Sequence, residues 1–514
     1  MLSPANSVVR TALLAAALLL CAPASSGQGV DWAEVHNVTV RGIDRLYNLD
    51  IEEAAATFDS VRHMAPGDPR GYFFGSMVHF WLFTLTRNES EYTAFLNASE
   101  DVVTVCENLL DQNEEDHVAR FYLGGIYGYR GLAHQANNSI LKAVTDGRRG
   151  YSYLREAVER KPDLYDAQMG FGLFSYLAGK VPRSLKWIMS LLGFAGDVEG
   201  GLRMLKAAAD NGTYTRGEAS FFLAQFLFSE RRRDEAFTYL GRLIDRYPDN
   251  TLFLLLNANW QSRSGNHDEA LTAAKRAVAI NERKKLRYGE EFAYSTLGSL
   301  YYTRNDFANC RENFEKFLTI VRSKEYVSNW TYYRLGVAQE ITGDRARALT
   351  TYAAAVNITD RDRSRDRFYY RLAHDRVQTP MTDADKLAIR GENELARKNY
   401  AQAQSLFEEA IRTSPADHDC QARALAGIQE GQFERDLFAE AVETGLRLVT
   451  LKPSRERWLI PHGHFRLGRA YARLGKTAEA RSAFEKVSEF DEYDFQSSLE
   501  ERVEEEMAKL KQAG

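Results

Sequence analysis

The sequence predicts an all-α fold, an alpha-alpha superhelix of antiparallel helix pairs, on three observations. A skeleton of small and large apolar residues recurs at the length of one helical hairpin; Ala224 and Ala258, for example, lie 34 residues apart in matching positions. Glycines and prolines punctuate the skeleton where helices must end, as at Gly265, Gly343 and Tyr247-Pro248. The stretch from Phe495 to Gln512 is mostly charged, as the polar end of a stacked array requires.

Residues 1–24 read as a signal peptide rather than as part of the fold. Arg10 precedes an apolar run from Thr11 to Cys21, and Ala22-Pro23-Ala24 offers an Ala-x-Ala cleavage site. The run falls short of the roughly 20 apolar residues of a spanning helix. The expected location is therefore exported, periplasmic or secreted, with association with the outer membrane as a variant of it. Lipidation at Cys21 is disfavoured by the bulk of Leu20. The mature chain keeps Cys106, Cys310 and Cys420, each within a helical pattern, which reads as buried free thiols rather than a disulfide framework. The formal charge of −5 is modest, and basic runs such as Arg231-Arg232-Arg233 stand beside acidic residues. That excludes the sustained positive face of a nucleic-acid-binding protein.

Along the chain, Gly42, Ile51, Ala54, Phe58, Val61 and Pro66 mark a first hairpin. Leu123, Gly124 and Tyr127 open another, whose second helix is expected only at Gly150, Leu154 and Ala157, after an insertion near 132–149. A further first helix runs from Leu164 to Leu177, and its partner resumes at Gly196-Asp197. The apolar stretch between them, near 180–195, is expected to be a short helical insertion that packs Trp187, Ile188, Leu191 and Leu192 on the neighbouring hairpins. Lys186 beside those residues also fits a membrane-surface segment, but membrane contact is not the expectation. The middle is the most regular, with units at Leu223-Ala224, Ala258, Leu297-Gly298 and Leu335-Gly336. The pattern weakens between Asp360 and Lys386, which places a boundary near 380. The expected domains are thus 25–380, 381–494, and a charged capping helix and tail over 495–514.

Leu467, Gly468, Tyr471, Gly475, Ala480 and Phe484 carry the spacing of one tetratricopeptide repeat, and the skeleton above resembles that family over roughly residues 37–490. A narrower resemblance rests on Gly170-Phe171-Gly172-Leu173-Phe174, Lys186-Trp187-Ile188 and the run from Leu192 to Leu202, which is similar to the Iml2/tetratricopeptide repeat protein 39 group over about 150–212. It implies a scaffold without established catalysis, carrying a helical insertion. Members of that group are intracellular, and the export signal departs from them.

Motifs for chemistry are sparse. The glycine-rich run from Gly124 to Gly131 lacks the preceding strand of a phosphate loop and reads as close helix packing. His462-Gly463-His464 is a tight histidine pair without further ligands, so no metal is expected. No His-Glu-x-x-His, Cys-x-x-Cys or Gly-x-Ser-x-Gly occurs. The chain is accordingly read as no enzyme, with no cofactor. In tetratricopeptide hairpins the first helix lines the concave groove. By that resemblance Tyr129, Phe221, Gln225, Phe228, Asn259, Arg263, Tyr302, Tyr333, Phe465 and Arg469 are the candidates for contacting a partner, with Trp187 and Ile188 as the insertion surface. Aromatic rings, amides and guanidinium groups suit a protein or peptide. Capture of a free peptide C-terminus is not expected, because Ser299 and Val337 replace the asparagine-like position of the family's clamp. The function expected is an exported, non-catalytic scaffold that binds a protein or peptide for envelope or complex assembly. The alternative is an enzyme or glycan-binding protein with its site in the N-terminal insertions.

Overall fold

The computed structural model describes residues 30–181, 196–286, 288–322, 327–357 and 364–513. Among them every regular element is a helix. The signal peptide and the apolar insertion, with Trp187 and Ile188, lie outside the described residues. Packing divides the chain into two compact units that meet in sequence at Tyr247 and Pro248. The first contains five helix pairs: α1 (Trp32–Tyr47) with α2 (Ile51–Met64), α3 (Pro69–Thr86) with α4 (Glu89–Gln112), α5 (His117–Ala136) with α6 (Ile140–Arg160), α7 (Tyr165–Gly179) with α8 (Val198–Asn211), and α9 (Arg216–Ser229) with α10 (Arg233–Arg246).

The second contains α11 (Thr251–Ser264) with α12 (His267–Lys284), α13 (Glu290–Thr303) with α14 (Phe307–Ile320), and α15 (Asn329–Ile341) with α16 (Arg345–Val356). A single helix, α17 (Ser364–Gln378), follows. Then come α18 (Asp383–Ala396) with α19 (Tyr400–Thr413), α20 (His418–Glu434) with α21 (Phe438–Leu448), α22 (Leu459–Arg473) with α23 (Thr477–Glu485), and the closing α24 (Gln496–Ala513).

In several pairs a glycine on the first helix vacates space for a ring on the second. A Cβ on Gly42 would lie 2.4 Å from the Phe58 ring, on Gly298 2.6 Å from Phe314, on Gly336 2.4 Å from Tyr352, and on Gly468 2.5 Å from Phe484. Each ring stands 16 positions after its glycine and is buried. The starts of the helices are set by side-chain oxygens that take up the first free amides, as Asp31, Asp68, Asp116 and Asn250 do.

Two aspartates join successive hairpins. Asp166, the second residue of α7, accepts the backbone N–H groups of Thr213, Tyr214 and Thr215 at 2.9–3.0 Å, fixing the loop before α9. Asp419, second in α20, does the same for Arg455 and Glu456 before α22, at 2.8 and 2.9 Å. Each unit also curls far enough for distant hairpins to touch. In the first, Asp44 on α1 pairs with Arg246 at 3.1 Å, and Tyr47 stacks on Tyr247. In the second, the Asn393 amide donates to the Tyr302 carbonyl at 2.8 Å.

Two expectations are corrected here. No separate element is inserted near 132–149: α5 and α6 are simply long, 20 and 21 residues. Their extra turns pack backbone to backbone, since a Cβ on Gly150 would lie 2.7 Å from the Gly128 nitrogen and one on Gly131 3.2 Å from the Gly147 nitrogen. A buried polar group pins that crossing: His134 receives or donates to Tyr92 Oη at 2.7 Å and meets Asp146 at 3.2 Å, which also takes Arg130 Nε at 3.1 Å. Nor does the chain part near 380. Arg376 and Asp385 form a buried ion pair at 2.9 Å, and Glu340 accepts the Met381 N–H at 2.8 Å. Those bonds tie α15, α17 and α18 into one body, because breaking a buried pair would leave an uncompensated charge.

Candidate functional site

The second unit carries a groove of about 520 Å³ on its first-helix side. It exists because α17 and the loop ahead of α22 bring rings against the inner faces of α13, α15, α18 and α20. Phe368 and Trp458 meet edge to face at 5.6 Å, and Trp458 Nε1 donates to Glu456 at 2.8 Å. Arg371 holds this corner together through Glu456 at 3.3 Å and Asp494 at 2.8 Å.

Guanidinium groups are spaced along the walls. Arg334 lies between the Tyr302 and Trp330 rings, 4.7 and 4.8 Å from their centres, and donates to Ser299 Oγ at 3.0 Å. Arg423 bonds both carboxylate oxygens of Glu392, at 2.8 and 2.9 Å. Arg466 donates to Glu430 at 2.7 Å. Glu392, Glu430 and Glu434 are exposed on the rim. The floor is largely aromatic and the rim alternates in sign.

The sequence-derived candidates do not form one surface. Tyr302 and Tyr333 line this groove, but as buried floor, 7% and 5% exposed. Phe465 is 2% exposed, packed on Phe484 and covered by Arg502. Arg469 lies 4.3 Å over Phe433, on the same end of the unit. Asn259 and Arg263 are exposed on α11. Tyr129, Phe221, Gln225 and Phe228 belong to the first unit, where Tyr129 is 6% exposed, Phe228 is 9% exposed, and Phe221 and Gln225 are half-buried. Phe228 and Tyr333 are enclosed: Phe237 and Arg233 of the paired helix α10 meet Phe228, while Tyr352 of α16 and Tyr369 of α17 meet Tyr333.

Sequence reasoning missed Arg334, Glu392, Arg423, Glu430, Trp458 and Arg466. A trace was present: Glu392 and Arg423 stand 31 positions apart, and Glu430 and Arg466 36, close to the repeat length. His462 is enclosed by Trp458 and Tyr493, and burial pushes its imidazole down to about 3. Among the described residues no helix is long and apolar enough to cross a membrane.

The Iml2/Tetratricopeptide repeat protein 39 family model matches residues 166–339, and a tetratricopeptide repeat model matches 461–494. Solved structures similar to this chain include yeast Tom70 (11% identity, 87% of this chain and 96% of that one, TM-score 0.29). The P58(IPK) TPR domain is 16% identical over 85% of this chain and 99% of its own, with a TM-score of 0.21. The human IFIT1 dimer with m7Gppp-AAAA is 14% identical over 90% and 95%, with a TM-score of 0.35. Superpositions that loose carry no argument about ligands, and the assignment rests on the repeats themselves. Tetratricopeptide arrays are generally protein-interaction scaffolds without catalysis. The glycine-to-ring hairpins and the two matched segments make this chain a tetratricopeptide-repeat protein that resembles the Iml2/tetratricopeptide repeat protein 39 group.

Proposed function

We propose that the chain is an exported scaffold that binds an extended segment of a partner protein in the groove of its second unit, for assembly of an envelope or other complex. The observation that carries this is the aromatic floor at Tyr333, Phe368 and Trp458, flanked by wall arginines Arg423 and Arg466 that pair with the rim carboxylates Glu392 and Glu430. A ring at the base of a groove supplies contact area, and the rim pairs can exchange one partner for a charge on the ligand. Export is supported by the apolar run and cleavage site ahead of residue 25.

A photo-cross-linking residue placed at Glu434, on the rim, is expected to capture a polypeptide in native extract. The same residue at Leu446, 48% exposed on the second helix of that hairpin, is the control. Adding Trp458→Ala to the Glu434 probe should cut the yield at least fivefold. Equal yields from the two positions would place the binding face elsewhere. For export, the purified protein should begin after Ala24, and a chain that keeps Met1 would count against it.

A further inference from the structure

The long helix α6 puts an apolar corner of the first unit into water. It has 21 residues where α8 and α10 have 14 each. Pro162 and Pro248 each stand two positions past the last residue of α6 and α10, so the surplus turns lie at the start of α6. Those turns carry Ile140, Leu141 and Val144, which are 59%, 86% and 38% exposed. Leu141 is the most exposed large apolar side chain among the described residues. Leu177, near the end of α7, is 44% exposed and borders the same apolar cleft as Ile140 and Val144, so the corner continues across two helices. Apolar groups gathered in this way mark a contact surface, whereas singly scattered ones do not.

The exposed charges of α6 beside that corner are of one sign. At about 100° per residue, Ile140, Val144 and Leu141 fall on one side of α6. Arg148 continues the line of Val144 one turn on, and Lys142 and Arg149 flank it. All three cations are exposed. Among the described residues none of them forms an ion pair, whereas Arg130 is paired with Asp146 and Arg155 with Glu159. Arg149 lies 5.4 Å from the centre of the Tyr127 ring. The one acid between Ile140 and Arg155 is Asp146, which is buried and turned inward on Arg130 and His134.

An aliphatic strip edged by unpaired cations fits the boundary between lipid headgroups and acyl chains, where apolar side chains sink and cations meet phosphates. A protein partner is the poorer match. The cores of protein interfaces favour aromatic rings and are depleted in lysine, and neither tyrosine of α6, Tyr151 or Tyr153, is exposed. We propose that the first unit docks on an anionic membrane surface through this corner. Ile140, Leu141, Val144 and Leu177 enter the headgroup layer, and Lys142, Arg148 and Arg149 meet the lipid phosphates. The docking does not rest on the groove of the second unit.

The test is sedimentation with vesicles of phosphatidylcholine alone and with vesicles that also hold about 30% phosphatidylglycerol. The chain is used whole and again from residue 25, which removes the apolar N-terminal run as a source of binding. The chain from residue 25 is expected to partition at least tenfold more strongly onto the anionic vesicles. Leu141→Glu, at a position too exposed to disturb the fold, should weaken that partition at least tenfold. Lys142→Glu with Arg149→Glu should bring it down to the level of phosphatidylcholine. Leu446→Glu, in the second unit, should change it less than twofold. Equal binding to the two vesicles, an unchanged Leu141→Glu chain, or no binding at all would each overturn the proposal, the last leaving the corner as a protein surface. Should the shortened chain lack a cooperative melt, the ratio between parent and Leu141→Glu in the whole chain decides it.

Discussion

Glu218 makes the first unit's stability depend on pH in a direction opposite to that of most carboxylates. Its ordinary value is 4.5, and burial raises it to about 7 in the folded chain. Between those values the folded protein keeps a proton that the unfolded chain releases. The contribution is therefore fully present below pH 4.5 and is lost as pH rises through 7, a swing of about 3 kcal/mol at most. Glu218→Gln, which cannot ionise, should match the parent in urea midpoint near pH 4.5 and exceed it by about 1–3 kcal/mol at pH 8. A difference that does not change with pH would show that the carboxyl is not held neutral. Nothing in the sequence marks this residue: Arg216-Gly217-Glu218 reads as the charged start of a helix, and only the return of α1 and α5 against α9 encloses it. Asp166 and Asp419 were equally hidden. Each follows a helix start, where acidic residues are common for the helix dipole alone, and their role appears only when the loop some 35–50 residues on arrives.

At the scale of the helix pair, one rule recurs in five of the eleven described pairs: a glycine, then a ring 16 positions later. Gly336→Ala would put a methyl 2.4 Å from the Tyr352 ring, and Tyr352 is fully buried, so it cannot swing away. A loss of about 1–3 kcal/mol is expected in urea unfolding. Gly241 on α10 offers the opposite case, because nothing lies within 4 Å of its Cβ position. Gly241→Ala should stabilise by about 0.5–1 kcal/mol through helix propensity and chain entropy. Equal signs for the two substitutions would disprove the packing account. This level of the fold was legible, since small and large residues keep their spacing whatever surrounds them. The length of α5 and α6 was not. A repeat pattern assumes helices of constant length, and there the glycines continue past the usual crossing, so the additional turns read as an insertion. The groove was half legible for the same reason: periodicity finds the inward helix face, but neighbouring hairpins decide whether a ring on it is floor or surface.

At the scale of the whole chain, contacts concentrate within hairpins and then between adjacent ones, and the chain divides into two compact units. Cooperativity in such arrays decays with distance along the stack. Calorimetry should therefore give a van't Hoff enthalpy well below the calorimetric one, and a single two-state transition would contradict the division at Tyr247–Pro248. The far end depends on α24, whose Leu499, Val503 and Met507 cover Phe465, Phe484 and Val487. Ending the chain at residue 495 should expose that cluster, raise binding of a hydrophobic dye and lower the midpoint of the second unit more than that of the first.

The three thiols among the described residues give this division a chemical clock. Cys106 is fully enclosed in the first unit, and Cys310 and Cys420 are enclosed in the second, none bonded to another. Burial pushes Cys420 up to about 11 and the other two higher still, so none is a competent nucleophile while folded. Each becomes one only when its own hairpin opens. In an oxidising compartment an opened chain would then be trapped by mixed disulfides with whatever thiol it meets, so survival there is set by how seldom each hairpin opens and not by how readily it closes again.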